Sequence, residues 1–304
     1  MKHVQLTDLN CNIDTGICEI PMDQSGKAEA KTVKPVKLLY FTDPICSSCW
    51  GIEPQLRKLK QEYGDYFNIE YRMGGLLKSW NEYGGKDVSG PASVAQHWEE
   101  AGAHYSMPID GDVWKEDPLH SSYPPSVAVK AAQIQGPESG YRFLRRVKEM
   151  VFMEKKNITR IEHLIQAAVD AGLDVEQFEQ DLELSAPGLF EDDLAMAKEW
   201  GARGFPTIYF IDGDDNRFKV YGSKPYAAYE EALMKLLPAM TEKKKPQSYD
   251  TIFDGIKTAT LTEFAVFYNL APELAEKILQ EMESEKKLIR FTSKAGVLWK
   301  WIKN

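Results

Sequence analysis

Two cysteines separated by two serines, Cys46 and Cys49, lie where a buried-strand pattern changes into a helical pattern. The apolar run Val36–Thr42 (VKLLYFT) predicts a strand, and an Asp-Pro dipeptide follows it. Between about residues 46 and 63, apolar residues recur at spacings of three and four, which predicts a helix. Phe67–Met73 (FNIEYRM) alternates apolar and polar residues and predicts a second strand. The pattern therefore predicts a strand–helix–strand unit with a cysteine pair at the first turn.

The cysteine pair could be a redox centre, half of a zinc site, or two buried thiols. Zinc sites generally have four ligands, and the remaining cysteines, Cys11 and Cys18, are separated by six residues rather than two. At a helix N-terminus, unpaired amides and the helix dipole stabilise a thiolate, so we expect a lowered pKa for Cys46. Cys49 follows one turn later, within reach of a disulfide bond. We therefore predict a dithiol redox centre without a metal or cofactor, and two structural thiols are the alternative.

Composition narrows the class of protein. The chain has 304 residues, a hydrophobic fraction of 43% and a net charge of −9, which suggest roughly two domains and argue against a nucleic-acid partner. No apolar run reaches the roughly 20 residues needed to span a bilayer, and no signal-peptide core is visible. We therefore expect a cytoplasmic protein without a membrane partner, in which stable structural disulfides are unusual.

A long helical region separates the cysteine motif from a second group of strands. Helical spacing occurs at residues 89–105, 126–135, 140–155, 161–171, 175–184 and 191–200. The segment GFPT then opens an apolar strand, Thr207–Ile211, and Arg217–Tyr221 alternates as its hairpin partner. An amphipathic helix at Tyr226–Leu237 closes this part of the chain.

The last part of the chain has a different pattern. A charged linker at residues 241–249 precedes two predicted helices, Leu261–Tyr268 and Glu273–Glu285, and a predicted hairpin follows them. Helix, turn, helix and hairpin is the outline of a winged helix. Acidic and basic residues are mixed here, so we expect a docking or dimerisation module more than a reader of DNA.

The segments FTDPICSSCWGIEP, SSYPPSVAVKAAQIQG and GARGFPT resemble the DsbA-like thioredoxin superfamily, most closely its FrnE-related predicted dithiol–disulfide isomerases. The resemblance covers about residues 36–238 and implies an α/β thioredoxin fold interrupted by an all-helical domain. It implies catalytic roles for Cys46 and Cys49 and a cis-proline role for Pro206. Phe205 and Pro206 would then line the site that binds a peptide substrate.

These observations give a domain organisation in four parts. They are a flexible N-terminal segment with a cysteine pair (1–35), a thioredoxin-like domain (36–88 and 187–240), a helical insert (89–186) and a small winged-helix-like module (250–304).

The expected activity is thiol–disulfide exchange or isomerisation on protein or small-molecule disulfides. Cys46 would attack the substrate disulfide and Cys49 would resolve the mixed disulfide. The supporting residues are Ser47, Ser48, Trp50 and Glu53. We expect the serines to donate hydrogen bonds to the thiolate. The tryptophan would shield the sulfurs or pack in the core, and the glutamate would relay a proton or simply be solvated.

A rival function comes from the YjbH-type adaptors, which the Asp-Pro and CxxC-Trp opening also resembles. Those proteins bind a regulator and present it to a protease. A kappa-type glutathione-linked isomerase shares the implied fold, but its members generally have serine where Cys46 stands. Two partner questions stay open: the electron donor, and a homodimer or protein partner at residues 250–304. Cys11 and Cys18 would form a second redox pair or remain unpaired thiols.

Overall fold

A short hairpin precedes the main body of the chain. The computed structural model describes residues 10–12, 17–19, 34–82 and 90–302. Strands β1 (Asn10–Asn12) and β2 (Ile17–Glu19) pair antiparallel, and the backbone register sets Cys11 opposite Cys18. The side chains of this hairpin lie outside the described part of the chain. The second redox pair and the flexibility of residues 1–35 therefore stay predictions.

A four-stranded mixed sheet holds the cysteine segment. Its strands are β3 (Val36–Thr42), β4 (Phe67–Met73), β5 (Thr207–Asp212) and β6 (Arg217–Tyr221). The order is β4-β3-β5-β6, with β3 and β4 parallel and the other pairs antiparallel. A parallel pair needs a crossover connection, and two helices after β3 supply it. The predicted strands are present, and β5 is one residue longer than expected.

The predicted helix at residues 46–63 is divided in two. Helix α1 covers Ser47–Gly51 and helix α2 covers Glu53–Tyr63, with Ile52 between them at φ −96° and ψ 0°. Pro54 lies in the first turn of α2, where its missing N–H costs no hydrogen bond. The apolar periodicity continues across Ile52, so spacing alone could not locate this break.

Seven helices are described between β4 and β5. They are α3 (Pro91–Tyr105), α4 (Val113–Glu116), α5 (Tyr123–Ile134), α6 (Pro137–Met153), α7 (Ile161–Asp170), α8 (Val175–Leu184) and α9 (Ala186–Glu199). Their apolar faces form one large core, in which α6 is buried along most of its length. In the described ranges, no helix has the length and apolar character to cross a membrane.

Several of these helices begin at different residues from those predicted. Helices α5, α6 and α9 start three to five residues earlier, and each has proline in its first turn. Pro137 and Pro187 lie in the intervals between the predicted helices. Proline is well tolerated at the first helical position because the amide there has no intrahelical partner. The short helix α4 was not predicted.

The chain ends in a small α/β unit after helix α10 (Tyr226–Met234). Its elements are a 3-10 turn (Thr251–Phe253), β7 (Thr258–Thr260), α11 (Leu261–Tyr268), α12 (Pro272–Ser284), β8 (Leu288–Ser293) and β9 (Gly296–Trp301). The strands form an antiparallel sheet in the order β7-β9-β8. The predicted helices and hairpin are present, and β7 adds a third strand. A relationship to winged helices stays a prediction.

A buried carboxylate of this C-terminal unit forms ion pairs with helix α2, which follows the cysteine segment, and with helix α6 of the helical region. Glu263 of α11 lies 3.1 Å from Arg57 of α2 and 3.0 Å from Arg145 of α6, measured between carboxylate oxygen and guanidinium nitrogen. The three side chains are almost entirely shielded from water. Burial alone would raise the pKa of Glu263, but the charges of Arg145 and Arg57 lower it to about 2.

Replacement of Glu263 by glutamine should destabilise the fold by about 3 kcal/mol, because buried Arg57 loses its counter-ion and Arg145 keeps only Glu149. Urea unfolding followed by tryptophan fluorescence measures the loss, and Glu116→Gln, at an exposed ion pair, should change little. The stabilisation is present above the ordinary glutamate pKa and is lost as pH falls towards 2. Equal stability of Glu263→Gln and wild type at pH 7 would contradict this assignment.

Candidate functional site

The cysteine pair lies at the start of α1, at the end of the central strand β3. Cys46 is the N-cap residue, and its sulfur accepts a hydrogen bond from the Cys49 amide at 3.2 Å. Both thiols are reduced. Cys46 is 5% exposed and Cys49 is completely buried, so only Cys46 can meet a substrate without rearrangement.

A distant loop reaches the same sulfur. The Phe205–Pro206 peptide bond is cis, and the Cys46 thiol donates to the Phe205 carbonyl oxygen across 3.6 Å. The Phe205 ring lies against Gly74 after β4, where a Cβ atom would come within 1.9 Å of the ring. The fold therefore brings Cys46, Phe205 and Pro206 together as the sequence predicted, and their role in substrate binding stays a prediction.

Asp43, the first residue of the Asp-Pro dipeptide, organises the surrounding loops. Its carboxylate accepts hydrogen bonds from the amides of Ile45 at 3.0 Å and Leu76 at 2.7 Å, and from the Ser122 hydroxyl at 2.8 Å. Burial raises the pKa of Asp43 to about 6. Sequence reasoning treated this residue only as the end of a strand. The signal was available, because aspartate often caps the backbone two residues later.

A buried ion pair lies beneath the cysteines. Glu53 of α2 and Lys148 of α6 are both almost fully buried, with 2.9 Å between the carboxylate oxygen and the ammonium nitrogen. The expectation that Glu53 is a solvated helix carboxylate is therefore wrong. Lys148 was missed because nothing in the local sequence of α6 distinguishes it from a surface lysine. Only the packing of α6 against α2 makes it part of the site.

The two thiols ionise in the opposite order from the one predicted. Burial and the hydrogen bond between the two thiols raise the pKa of Cys46 well above its ordinary value, although the bond from the Cys49 amide lowers it. Burial opposes ionisation of Cys49 as well. The pKa of Cys49 is nevertheless lowered, because nearby groups stabilise its anion more than burial destabilises it. These groups are the Cys46 thiol, the charge of Lys148 and the hydroxyls of Thr42 and Tyr40. The prediction of a lowered pKa at Cys46 is wrong, because Lys148 and the other stabilising groups act on Cys49.

Trp50 is a core residue. Its indole N–H donates to the Pro108 carbonyl at 3.0 Å, and its ring stacks on Phe152 with 5.7 Å between centroids. The Arg145 guanidinium lies over the same ring at 4.5 Å. The side chain therefore anchors α1 in the helical core, which is the second of the two roles considered for it.

The two serines between the cysteines make contacts away from the sulfurs. The Ser48 hydroxyl accepts a hydrogen bond from the Tyr105 hydroxyl at 2.9 Å, and the Tyr105 ring covers Gly51. Ser47 is buried. Within the described residues, the hydrogen bond found at the Cys46 sulfur comes from an amide and not from a serine hydroxyl. The predicted serine–thiolate hydrogen bonds are therefore absent from this reduced structure.

Replacement of Lys148 by methionine should raise the pH at which the first thiol ionises, because the cation near Cys49 is lost. Thiolate absorbance near 240 nm, recorded against pH, measures this midpoint. The double variant Glu53→Gln/Lys148→Met is the matched control, because it leaves no unpaired buried carboxylate. An unchanged midpoint in both folded variants would show that Lys148 does not influence the pair.

The thioredoxin fold is also found by comparison with known proteins. A family profile described as thioredoxin matches residues 39–231. Among solved structures, the cytosolic disulfide reductase DsbM from Pseudomonas aeruginosa superposes with a TM-score of 0.54 at 21% identity. That match covers 66% of this chain and 100% of DsbM. At this identity the likeness establishes the fold alone.

Two proteins designated ClpXP adapters match most of the length of this chain. The ClpXP adapter protein SpxH of Halalkalibacterium halodurans is 37% identical over 298 residues, covering 96% of this chain and 97% of the relative. The ClpXP adapter protein SpxH of Bacillus subtilis is 32% identical over 272 residues, covering 88% and 89%. The chain therefore belongs to the thioredoxin family and, within it, to the SpxH family.

Proposed function

We propose that this chain is an adaptor that binds a regulatory protein and presents it to the ClpXP protease. The observation that carries the proposal is the 37% identity to an SpxH adapter, which extends over 96% of the chain. This likeness includes residues well beyond the thioredoxin match at 39–231. The proposal also places the chain in the cytoplasm, the compartment expected from its sequence.

The extent of the oxidoreductase likeness supports the same conclusion. The complete DsbM chain corresponds to only 66% of this one, so about a third of this protein has no counterpart in that reductase. The C-terminal unit lies outside the thioredoxin match and is fixed to the rest by the buried Glu263 cluster. A unit held rigidly in this way offers an adaptor a preformed surface for a second protein.

Thiol–disulfide exchange is the second candidate, and the reduced pair beside a cis-proline favours it. In this proposal the proton of Cys46 passes to the Cys49 thiolate, and the Cys46 sulfur attacks a substrate disulfide. One substrate sulfur leaves as a thiolate. Cys49 then gives its proton to that thiolate and attacks the Cys46 sulfur, which forms the Cys46–Cys49 disulfide and releases the second substrate thiolate. Two electrons pass from the cysteine pair to the substrate disulfide.

The adaptor proposal predicts faster degradation of a specific regulator. We expect pulse-chase proteomics in the native host to identify a protein whose half-life depends on both this chain and ClpXP. Purified chain should then accelerate its degradation by ClpXP about tenfold or more. The double variant Cys46→Ser/Cys49→Ser, assayed under reducing conditions, should retain this effect. If wild-type chain fails to accelerate degradation, the adaptor proposal is wrong.

The exchange proposal makes a separate prediction. Wild-type chain should catalyse reduction of insulin disulfides by dithiothreitol, and Cys46→Ser should abolish this turnover because the accessible sulfur is gone. Ser48→Ala is the control, since its hydroxyl is bonded to Tyr105 and should leave the rate nearly unchanged. Equal rates for wild type and Cys46→Ser would exclude the pair as the reacting group.

A further inference from the structure

Strand β8 forms an open edge of the C-terminal sheet. It is the outer strand in the order β7-β9-β8, and residues 289–292 are all exposed. Two of them are large and apolar: Ile289 is 49% exposed and Phe291 is 42% exposed. Exposed edges with apolar side chains tend to pair with another chain, and proteins usually cover or shorten them. A six-residue edge of this kind is therefore suited to receive an additional strand.

The direction of the backbone groups can be read from the ladder. In an antiparallel pair, alternate residues bond to the neighbouring strand, and the residues between them face the other way. The Trp301 amide donates to Lys257 on the β7 side, whereas the Ile302 amide donates to Lys287 on the β8 side. Arg290 lies opposite Trp299. Trp299 is two residues before Trp301, so its backbone N–H and C=O also face β7 and form no bond to Arg290. The N–H and C=O of Arg290 consequently point outward from β8.

The segment that forms this edge is rich in cations, although the whole chain has a net charge of −9. Residues 286–303 include no aspartate or glutamate and six cations: Lys286, Lys287, Arg290, Lys294, Lys300 and Lys303. Carboxylates outside the segment pair with three of these cations, namely Lys287, Arg290 and Lys294. Such a segment is suited to an acidic partner.

A groove of about 300 Å³ adjoins the edge and extends the basic surface. Phe291 and Leu298 contribute apolar lining, and Arg142, Lys257 and Lys300 contribute cations. These three cations form no ion pair with any carboxylate in residues 34–82 and 90–302. The carboxylates that line the groove are already paired with Arg145 or Arg146; they are Glu149, Glu154 and Asp170.

We propose that β8 and this groove bind an extended, acidic segment of a protein partner by strand addition. The backbone of the segment would pair with the outward groups of β8. Its apolar side chains would cover Ile289 and Phe291, and its carboxylates would meet the free cations. A row of backbone donors and acceptors suits a peptide better than a phosphate chain. The inference deepens the adaptor proposal by naming the surface and the chemistry of the bound segment.

Binding of a defined peptide tests the proposal directly. The probes are fluorescein-labelled peptides of about eight residues that alternate valine with either glutamate or lysine. Fluorescence anisotropy with the full chain should show the glutamate peptide binding about tenfold more tightly or better. Arg290→Pro removes the outward N–H without removing a bond to β9, so it should bind about tenfold more weakly than Arg290→Ala. Phe291→Glu, at an exposed position, should also weaken binding.

Equal binding of both peptides would overturn the inference, and so would equal affinity of Arg290→Pro and Arg290→Ala when both have wild-type thermal transitions. Binding of a DNA duplex in preference to the glutamate peptide, lost in Phe291→Glu, would overturn it as well. The degradation assay separates the two proposals. Failure of wild-type chain to stimulate ClpXP refutes the adaptor function, whereas normal peptide binding by Arg290→Pro refutes the strand-addition surface alone.

Discussion

Helix α6 (Pro137–Met153) buries two cations one turn apart. Their ion pairs connect this helix to α2 and to α11. A buried charge is tolerated only with a partner. Lys148 pairs with Glu53 beneath the cysteines, and Arg145 pairs with Glu263 in the C-terminal unit. The Arg145 guanidinium also covers the ring of Trp50, one residue after the cysteine motif. A single helix thus fixes both the cysteine pair and the C-terminal unit in place.

This arrangement separates two surfaces with different chemistry. The cysteine pair is largely enclosed, with its anion stabilised at the deeper sulfur by groups from β3 and α6. The C-terminal sheet instead presents to solvent an edge strand with exposed Ile289 and Phe291. An adaptor needs an outer surface for its client and can keep a protected thiol pair for another purpose. The two proposed activities therefore place different demands on different parts of the chain and do not compete for the same residues.

The structure departs from the sequence predictions where local patterns carry no information about distant groups. The break at Ile52 and the early starts of α5, α6 and α9 follow from proline in the first turn, which periodicity does not register. The order of thiol ionisation depends on Lys148, which is 99 residues from Cys49 in sequence. A helix terminus favours an anion at Cys46, but the groups around Cys49, Lys148 among them, lower the pKa of Cys49 instead.

The sequence by itself determined the thioredoxin-like unit, its strands and the meeting of the cysteine pair with the Phe205–Pro206 loop. The strands follow from short-range periodicity and from turn residues, which act within a few positions of the chain. The thioredoxin fold and the meeting of the cysteine pair with that loop are what the resemblance to DsbA-like proteins implies. Only the tertiary structure decided that Glu53 is buried, that Asp43 joins three loops, and that the C-terminal unit is clamped by Arg57 and Arg145. These outcomes depend on which charges meet in an interior without water, and that pairing is settled by packing between segments far apart in sequence.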